Sequence, residues 1–250
     1  MADKHAQLKQ AIVDVFERMN RRYGYRRVHA QLRREGWVIN HKLVYKLMGQ
    51  LGLKSKVRAK KKYNSYKGTV SYIASNVVNR CFTPDEPNTV WASDVTEFRV
   101  AGTKVYLSPI MDLCDRSIVS YSVSTSPNTA FTSQSLRDAI AQESPDQGLV
   151  VHTDQGFQYQ HSSWRTLIAG IGGTQSMSRK GNCYDNAVME NFFGHLKSEM
   201  YHGESFTSVE EFYQALDEYI RWYNHERIQK RLKGLTPVQY RNQTLKPLTA

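Results

Sequence analysis

Cysteine is scarce and poorly spaced in this sequence. Cys81, Cys114 and Cys183 are the only three, far apart and odd in number, and no CxxC pair occurs. The eight histidines show no zinc-finger spacing. Both facts argue against a disulfide framework or structural zinc and for buried free thiols. No apolar run approaches the roughly 18 residues of a membrane span. The opening MADKHAQLKQ lacks the apolar stretch of a secretory leader. The expectation is a soluble, cytoplasmic protein with no membrane partner. Internal repeats are missing too, and the only biased tract is a short basic one. Acid is nearly missing from the first third: residues 1–80 hold 19 Lys and Arg against 4 Asp and Glu (net +15). Residues 81–250 hold 15 against 19 (net −4). Positive charge so concentrated implies a polyanionic partner.

What is present is enough for a core. Of 250 residues, 40% are hydrophobic and 11% aromatic, which sets aside disorder. Leu8, Ile12, Val15, Phe16 and Met19 recur at helical spacing. A second helix is expected over Arg26–Arg34 with Val28 and Leu32 inward, ended by Gly36. Asn40 is placed to cap a third carrying Leu43, Val44, Leu47, Met48 and Leu51. Helix, short turn, helix is the helix-turn-helix pattern, with His41, Lys42, Tyr45 and Lys46 free to face a DNA groove. Residues 54–67 (KSKVRAKKKYNSYK) hold seven basic residues and no acid. Lys56, Arg58, Lys60, Lys61 and Lys62 there suit a phosphate-contacting linker, and TPDEPN (83–88) reads as a turn-rich boundary.

Beyond it the pattern becomes mixed α/β. Residues 89–98, 103–114 and 117–124 read as three consecutive strands and 127–142 as a helix. GLVVH (148–152) reads as a short buried strand. Trp164–Ile171 reads as a helix, Gly173–Ser178 as a strand, and helices follow from about Asp185 and over Ser208–Tyr223. A mixed sheet covered by helices is expected. The organisation read from these shifts is 1–53 helical and DNA-binding, 54–88 basic linker, 89–203 catalytic core and 204–250 helical extension.

Three acids stand out. Asp94 falls inside an apolar strand, where a carboxylate is costly unless paired or bound to metal. Asp154 follows the apolar strand directly, with Gly156 helping the chain to turn away. Glu190 borders the apolar stripe of NAVMENFFGHLK, and 35 residues separate it from Asp154. Lys197 lies seven residues further on, close to two helical turns, and so projects the same way. Carboxylates are hard oxygen ligands for Mg2+ or Mn2+, and two such ions can drive an in-line phosphoryl displacement. Metal-free, the acids repel and their pKa values are expected to rise. Each acid also has a plainer reading: Asp154 as a turn residue, Glu190 as a surface residue, Asp94 as a hydrogen-bonded strand residue. Asp112, Asp115 and Asp185 are rivals, the last as a helix cap.

These motifs resemble the DDE transposases and retroviral-type integrases, most nearly the second-frame transposase of the insertion-sequence family numbered three. WASDVTEF resembles the family's first motif, HTDQGFQY the second and SRKGNCYDNAVMENFFGHLKSE the third. YIRWYNHERIQKRLKGLTPVQY resembles its C-terminal signature and GYRRVHAQLRREG its N-terminal DNA-binding segment. The resemblance implies a ribonuclease H-like core with Asp94, Asp154 and Glu190 as catalytic metal ligands. It implies two Mg2+ ions, replaceable by Mn2+, and cleavage of element ends followed by strand transfer to DNA. Lys197 is then expected on the terminal phosphate, with Arg179, Lys180 and Asn182 along the DNA path. Arg227, Lys230, Arg231 and Lys233 are further phosphate candidates. Partners implied are double-stranded DNA (terminal repeats and target), further copies of the chain and an upstream-frame protein or fusion. Where many relatives carry His this chain has Gln229, so no catalytic role is expected there. The competing readings are a structure-selective nuclease and a catalytically silent DNA-binding regulator.

Overall fold

The computed structural model describes residues 3–56, 72–179 and 183–245. Arg58, Lys60, Lys61, Lys62, Lys180 and Asn182 lie outside the described residues.

The N-terminal helices form where apolar spacing and capping place them. These are α1 (Ala6–Arg18), α2 (Tyr25–Arg34) and α3 (His41–Gln50). Asn40 caps α3 by accepting the Lys42 N–H at 2.8 Å, which satisfies a donor the first turn leaves open. Ile12, Val15, Phe16, Val28, Leu32, Val44 and Leu47 are buried between them. His41, Lys42, Tyr45 and Lys46 face outward from α3.

The core strands are β1 (Val90–Ser93), β2 (Thr96–Val100), β3 (Thr103–Asp112), β4 (Ile118–Ser124), β5 (Val150–Thr153) and β6 (Thr174–Met177). The first expected strand is interrupted. β1 and β2 run end to end along β3 in one shared register, Ser93↔Ile110 and Thr96↔Leu107, leaving Asp94 and Val95 unpaired opposite Pro109 and Ser108. Pro109 has no N–H to give the ladder. Asp94 turns its carboxylate to the Val95 N–H instead, at 2.7 Å. Ala101 and Gly102, both at positive φ, make the tight turn from β2 into β3. β4 pairs with the far side of β3, while β5 and then β6 add in parallel beyond β1.

Helices cover both faces. α4 (Thr129–Glu143), the short α5 (Phe157–Gln160) and α6 (Ser162–Gly170) pack with Trp91, Ile110 and Val151 on one face. α7 (Ala187–Leu196), α8 (Val209–His225) and the N-terminal helices pack with Ala92, Phe98, Leu107 and Met111 on the other. Alternate residues of β1 and β3 thus feed opposite cores, as a pleated strand requires. A π-turn (Lys197–Tyr201) follows α7, and α9 (Pro237–Leu245) closes the described chain. Trp222 and Tyr223 are core residues, as expected.

Several expectations are corrected by burial. Asp112 is fully buried and accepts the Asn88 and Cys114 N–H groups and Arg241. Asp115 is likewise buried against Arg241. Both are structural. Arg227 is buried on Glu199, whose carboxylate offsets the cost of taking the guanidinium out of water. Cys114 is a buried free thiol, but Cys81 is exposed.

Candidate active site

The site is built where β1 and β5 end. These strands run parallel with Ala92 beside His152. Two residues further along both chains stand Asp94 and Asp154, each just past its strand end and half-buried. In α/β sheets the carboxyl ends of parallel strands are where side chains reach a cleft. Glu190 comes from the first turn of α7, which is anchored by buried Met189, Phe192, Phe193 and Leu196.

Burial and neighbouring charge act together on the strand-end acids. Burial, then the charge of Asp154, lifts Asp94 well above the usual carboxylate range. Glu190 adds to that rise, while the Val95 N–H and Lys197 oppose it. Asp154 is also raised by burial, opposed by the Gly156 N–H that it accepts at 2.8 Å. Lys197 is half-buried, its Nζ 5.1 Å from the centre of the Phe98 ring. Glu190 and Lys197 thus both lie within electrostatic range of Asp94. Among the described residues no three His, Cys, Asp or Glu side chains stand close enough together to hold a metal ion. The donors are nonetheless all hard carboxylate oxygens, the donor chemistry that suits Mg2+ or Mn2+.

Supporting residues lie beyond the three acids. Asn186, immediately before α7, donates its side-chain amide to Asp94 Oδ2 at 2.9 Å. Tyr159, buried beneath the site, lies 3.2 Å from the Ser93 hydroxyl. Burial, then Asp94 and Asp154, push its phenol well above its ordinary value. Gly156 is needed for space, not for turning: its φ of −58° suits any residue. A Cβ there would meet Asp154 Oδ1 at 2.9 Å and Gln158 Nε2 at 2.6 Å.

Asp185 is not the helix cap expected of it. It is fully buried and accepts Arg80 Nε at 2.9 Å, Arg179 Nε at 2.8 Å and Asn76 Nδ2 at 3.0 Å. Burial pushes its pKa up, but the bonds from Arg179 and Arg80 outweigh that and hold it low. Arg179 therefore anchors the entrance to α7, and Lys56, similarly, pairs with Glu204. His152 completes the anchor, with Nδ1 2.9 Å from Ser176 Oγ and Nε2 2.8 Å from the Asp185 carbonyl. Ser176 Oγ already accepts the Val77 and Val78 N–H groups. Its own proton therefore goes to Nδ1, and Nε2 carries the proton given to Asp185. Asn186 and Tyr159 were legible only as polar residues near a motif; Asp185, His152 and Ser176 carried no signal of their partners.

An α/β core of this strand order with acids at adjacent strand ends defines an integrase-type nucleic-acid enzyme class. Family models agree: integrase core domain over residues 84–183 and again over 190–245, and an HTH-like domain over 3–61. The putative transposase InsK for insertion sequence element IS150 of Escherichia coli K12 is 46% identical over 98% of this chain and 86% of its own length. Transposase InsF for insertion sequence IS3A, from the same organism, is 32% identical over 94% and 82%. The simian T-cell lymphotropic virus intasome, solved with PP2A regulatory subunit B56 gamma, shares the fold at TM-score 0.55 and 14% identity. That likeness spans 96% of this chain and 76% of the viral one. The chain belongs to the integrase-core transposases of insertion sequences, in family three. No helix among the described residues is long and apolar enough to cross a membrane.

Proposed function

We propose that this transposase cuts insertion-element ends and joins the freed 3′-hydroxyl to DNA, with Asp94, Asp154 and Glu190 as the carboxylates that hold two Mg2+ ions, or Mn2+ in their place. The observation that carries this reading is the parallel register that brings Asp94 beside Asp154, with Glu190 in electrostatic range. Divalent ions in such a site supply charge stabilisation for the attacking and leaving oxygens of an in-line displacement. The chain's own groups do the rest. Asn186 fixes the Asp94 carboxylate. Lys197 gives a cation for the terminal phosphate on the same cleft. Water is the nucleophile in cleavage and the 3′-hydroxyl in joining, so no covalent protein–DNA intermediate forms.

Residues 1–53 act as the DNA-binding unit, with His41, Lys42, Tyr45 and Lys46 of α3 entering a groove. The basic linker 54–88 follows the phosphate backbone through Arg58, Lys60, Lys61 and Lys62, and Lys180 and Asn182 meet DNA beside α7. Residues 89–203 carry the chemistry and 204–250 brace it. Bringing two ends together requires further copies of the chain, and an upstream-frame protein or fusion assists end recognition. The setting is the bacterial cytosol.

A structure-selective nuclease would use the same carboxylates but would cut without joining. Pre-cut labelled ends, a plasmid target and Mg2+ separate the two. Joined products that vanish with Asp154→Asn support transposition. Nicks without joining support the nuclease.

A further inference from the structure

At the far end of α7 lies a second, buried charge cluster that the chemistry above does not use. The helix loosens after Leu196 into the π-turn, closed by the His202 N–H on the Lys197 carbonyl at 2.7 Å. Such turns give up regular helix bonding and occur often at functional sites. Here the holder is Glu199, 5% exposed. Its Oε2 accepts Arg227 Nε at 2.8 Å and the Tyr219 hydroxyl at 2.9 Å. Its Oε1 accepts Arg227 Nη2 at 2.8 Å and Arg27 Nη1 at 3.0 Å. Arg22 Nε donates to the Glu199 carbonyl at 3.2 Å, its guanidinium 4.6 Å from the Trp222 ring centre. Burial would raise the Glu199 carboxyl, but Arg227 and Arg27 outweigh it and hold the pKa at about 2. It stays an anion at the centre of cationic donors.

From this convergence we infer that Glu199 is a positioning residue for Lys197, and that the N-terminal helices, through Arg22 and Arg27, set the π-turn that aims Lys197 into the carboxylate cleft. The inference rests on the assignment of Lys197 to the terminal phosphate. Coupling between sites can travel through hydrogen-bond networks and rigid secondary elements. Here Arg27 reaches Glu199, and Glu199 lies two residues from Lys197 on one turn. The unit that presents α3 to DNA thus also clamps the turn that presents Lys197 to the reacting end. Arg27 gives its Nη1 to Glu199, and the salt slope tells whether its remaining N–H groups meet a phosphate.

The test is a double-mutant cycle on the full chain with element-end duplexes. Arg27→Met leaves Glu199 its Arg227 partner, so the fold has support. It is expected to lower kcat for end cleavage by about 2- to 30-fold, the usual range for coupling mutations. The salt slope of end binding should shift by no more than Lys197→Ala alone shifts it, since only the Lys197 contact is disturbed. Arg27→Lys should recover part of the rate. In a Lys197→Ala background, Arg27→Met should cost nothing further. If Arg27→Met fails to fold, Arg22→Gln takes its place with the same expected pattern. An unchanged kcat, effects that multiply with Lys197→Ala, or a salt slope that Arg27→Met makes shallower still in the Lys197→Ala background overturns the inference. If Lys197→Ala alone changes neither end binding nor cleavage, the Lys197 assignment fails, and this inference with it.

Discussion

Asn186 ties the strand acid to the helix acid. Its amide reaches Asp94 Oδ2 at 2.9 Å from the residue just before α7, the helix that carries Glu190. Two carboxylates from separate parts of the chain are thereby held in one frame. Partners that orient ligating carboxylates typically cost about 10- to 100-fold in metal affinity or activity when removed. Asn186→Ala is expected to raise the Mg2+ concentration for half-maximal end cleavage by about that factor. Its thermal stability should stay near that of the parent, and Mg2+ titration of cleavage checks this.

Gly156→Ala tests close approach. The backbone there accepts alanine, but the added Cβ meets the Asp154 carboxylate at 2.9 Å. Gln158 is flexible and can swing away, whereas Asp154 must shift out of the site. Cleavage is expected to fall by about 10-fold or more. Melting should stay within a few degrees of the parent. A large drop in Tm with normal Mg2+ dependence would contradict this account.

The raised aspartates give a signed prediction for the metal-free chain. Where a carboxyl's folded pKa lies above its unfolded value near 3.8, the folded state binds more protons in that window, and stability falls as pH rises. At neutral pH Asp94→Asn removes the repulsion and should raise Tm. A gain on the order of 1 kcal/mol corresponds to about 2–4 °C for a chain of this size. Scanning calorimetry without divalent ions measures it. A lower Tm for Asp94→Asn would show that the strand-end acids are not in conflict.

His152 gives the opposite slope. Burial lowers its pKa below the ordinary 6.5, with the Asp185 carbonyl opposing. The folded state then binds fewer protons than the unfolded one, so the stabilisation is fully present above about pH 6.5 and is lost as pH falls below it. Protonation also places a hydrogen on Nδ1, where Ser176 donates. Tm measured against pH should decline below about 6.5. Hydrogen exchange should rise first in β6 and at the start of α7, which this ring joins.

Much of the site was legible because it obeys local rules. A continuous apolar strand followed by an acid, an apolar helical stripe with an acid and a base at its margin, and a third helix capped by Asn40 each follow from neighbouring residues. What escaped the sequence depends on partners far along the chain. The break at Asp94 arises opposite Pro109, a residue of another strand. Asp185 had the position of a helix cap, and its real partners include Arg80, 105 residues away. Arg227 read as a phosphate contact within a basic run, yet its guanidinium is buried on Glu199. The π-turn leaves no periodic signal, and its Glu199 takes bonds from Arg27 and Arg227, far apart in the chain.

The most direct test of the central claim is a crystal structure of the chain with an element-end duplex and Mn2+, read by anomalous scattering. The account predicts two peaks about 4 Å apart, bridged by Asp94 and Asp154 with Glu190 on one of them. Peaks that avoid these three carboxylates, or carboxylates that stay too far apart to share an ion once DNA is bound, would contradict it.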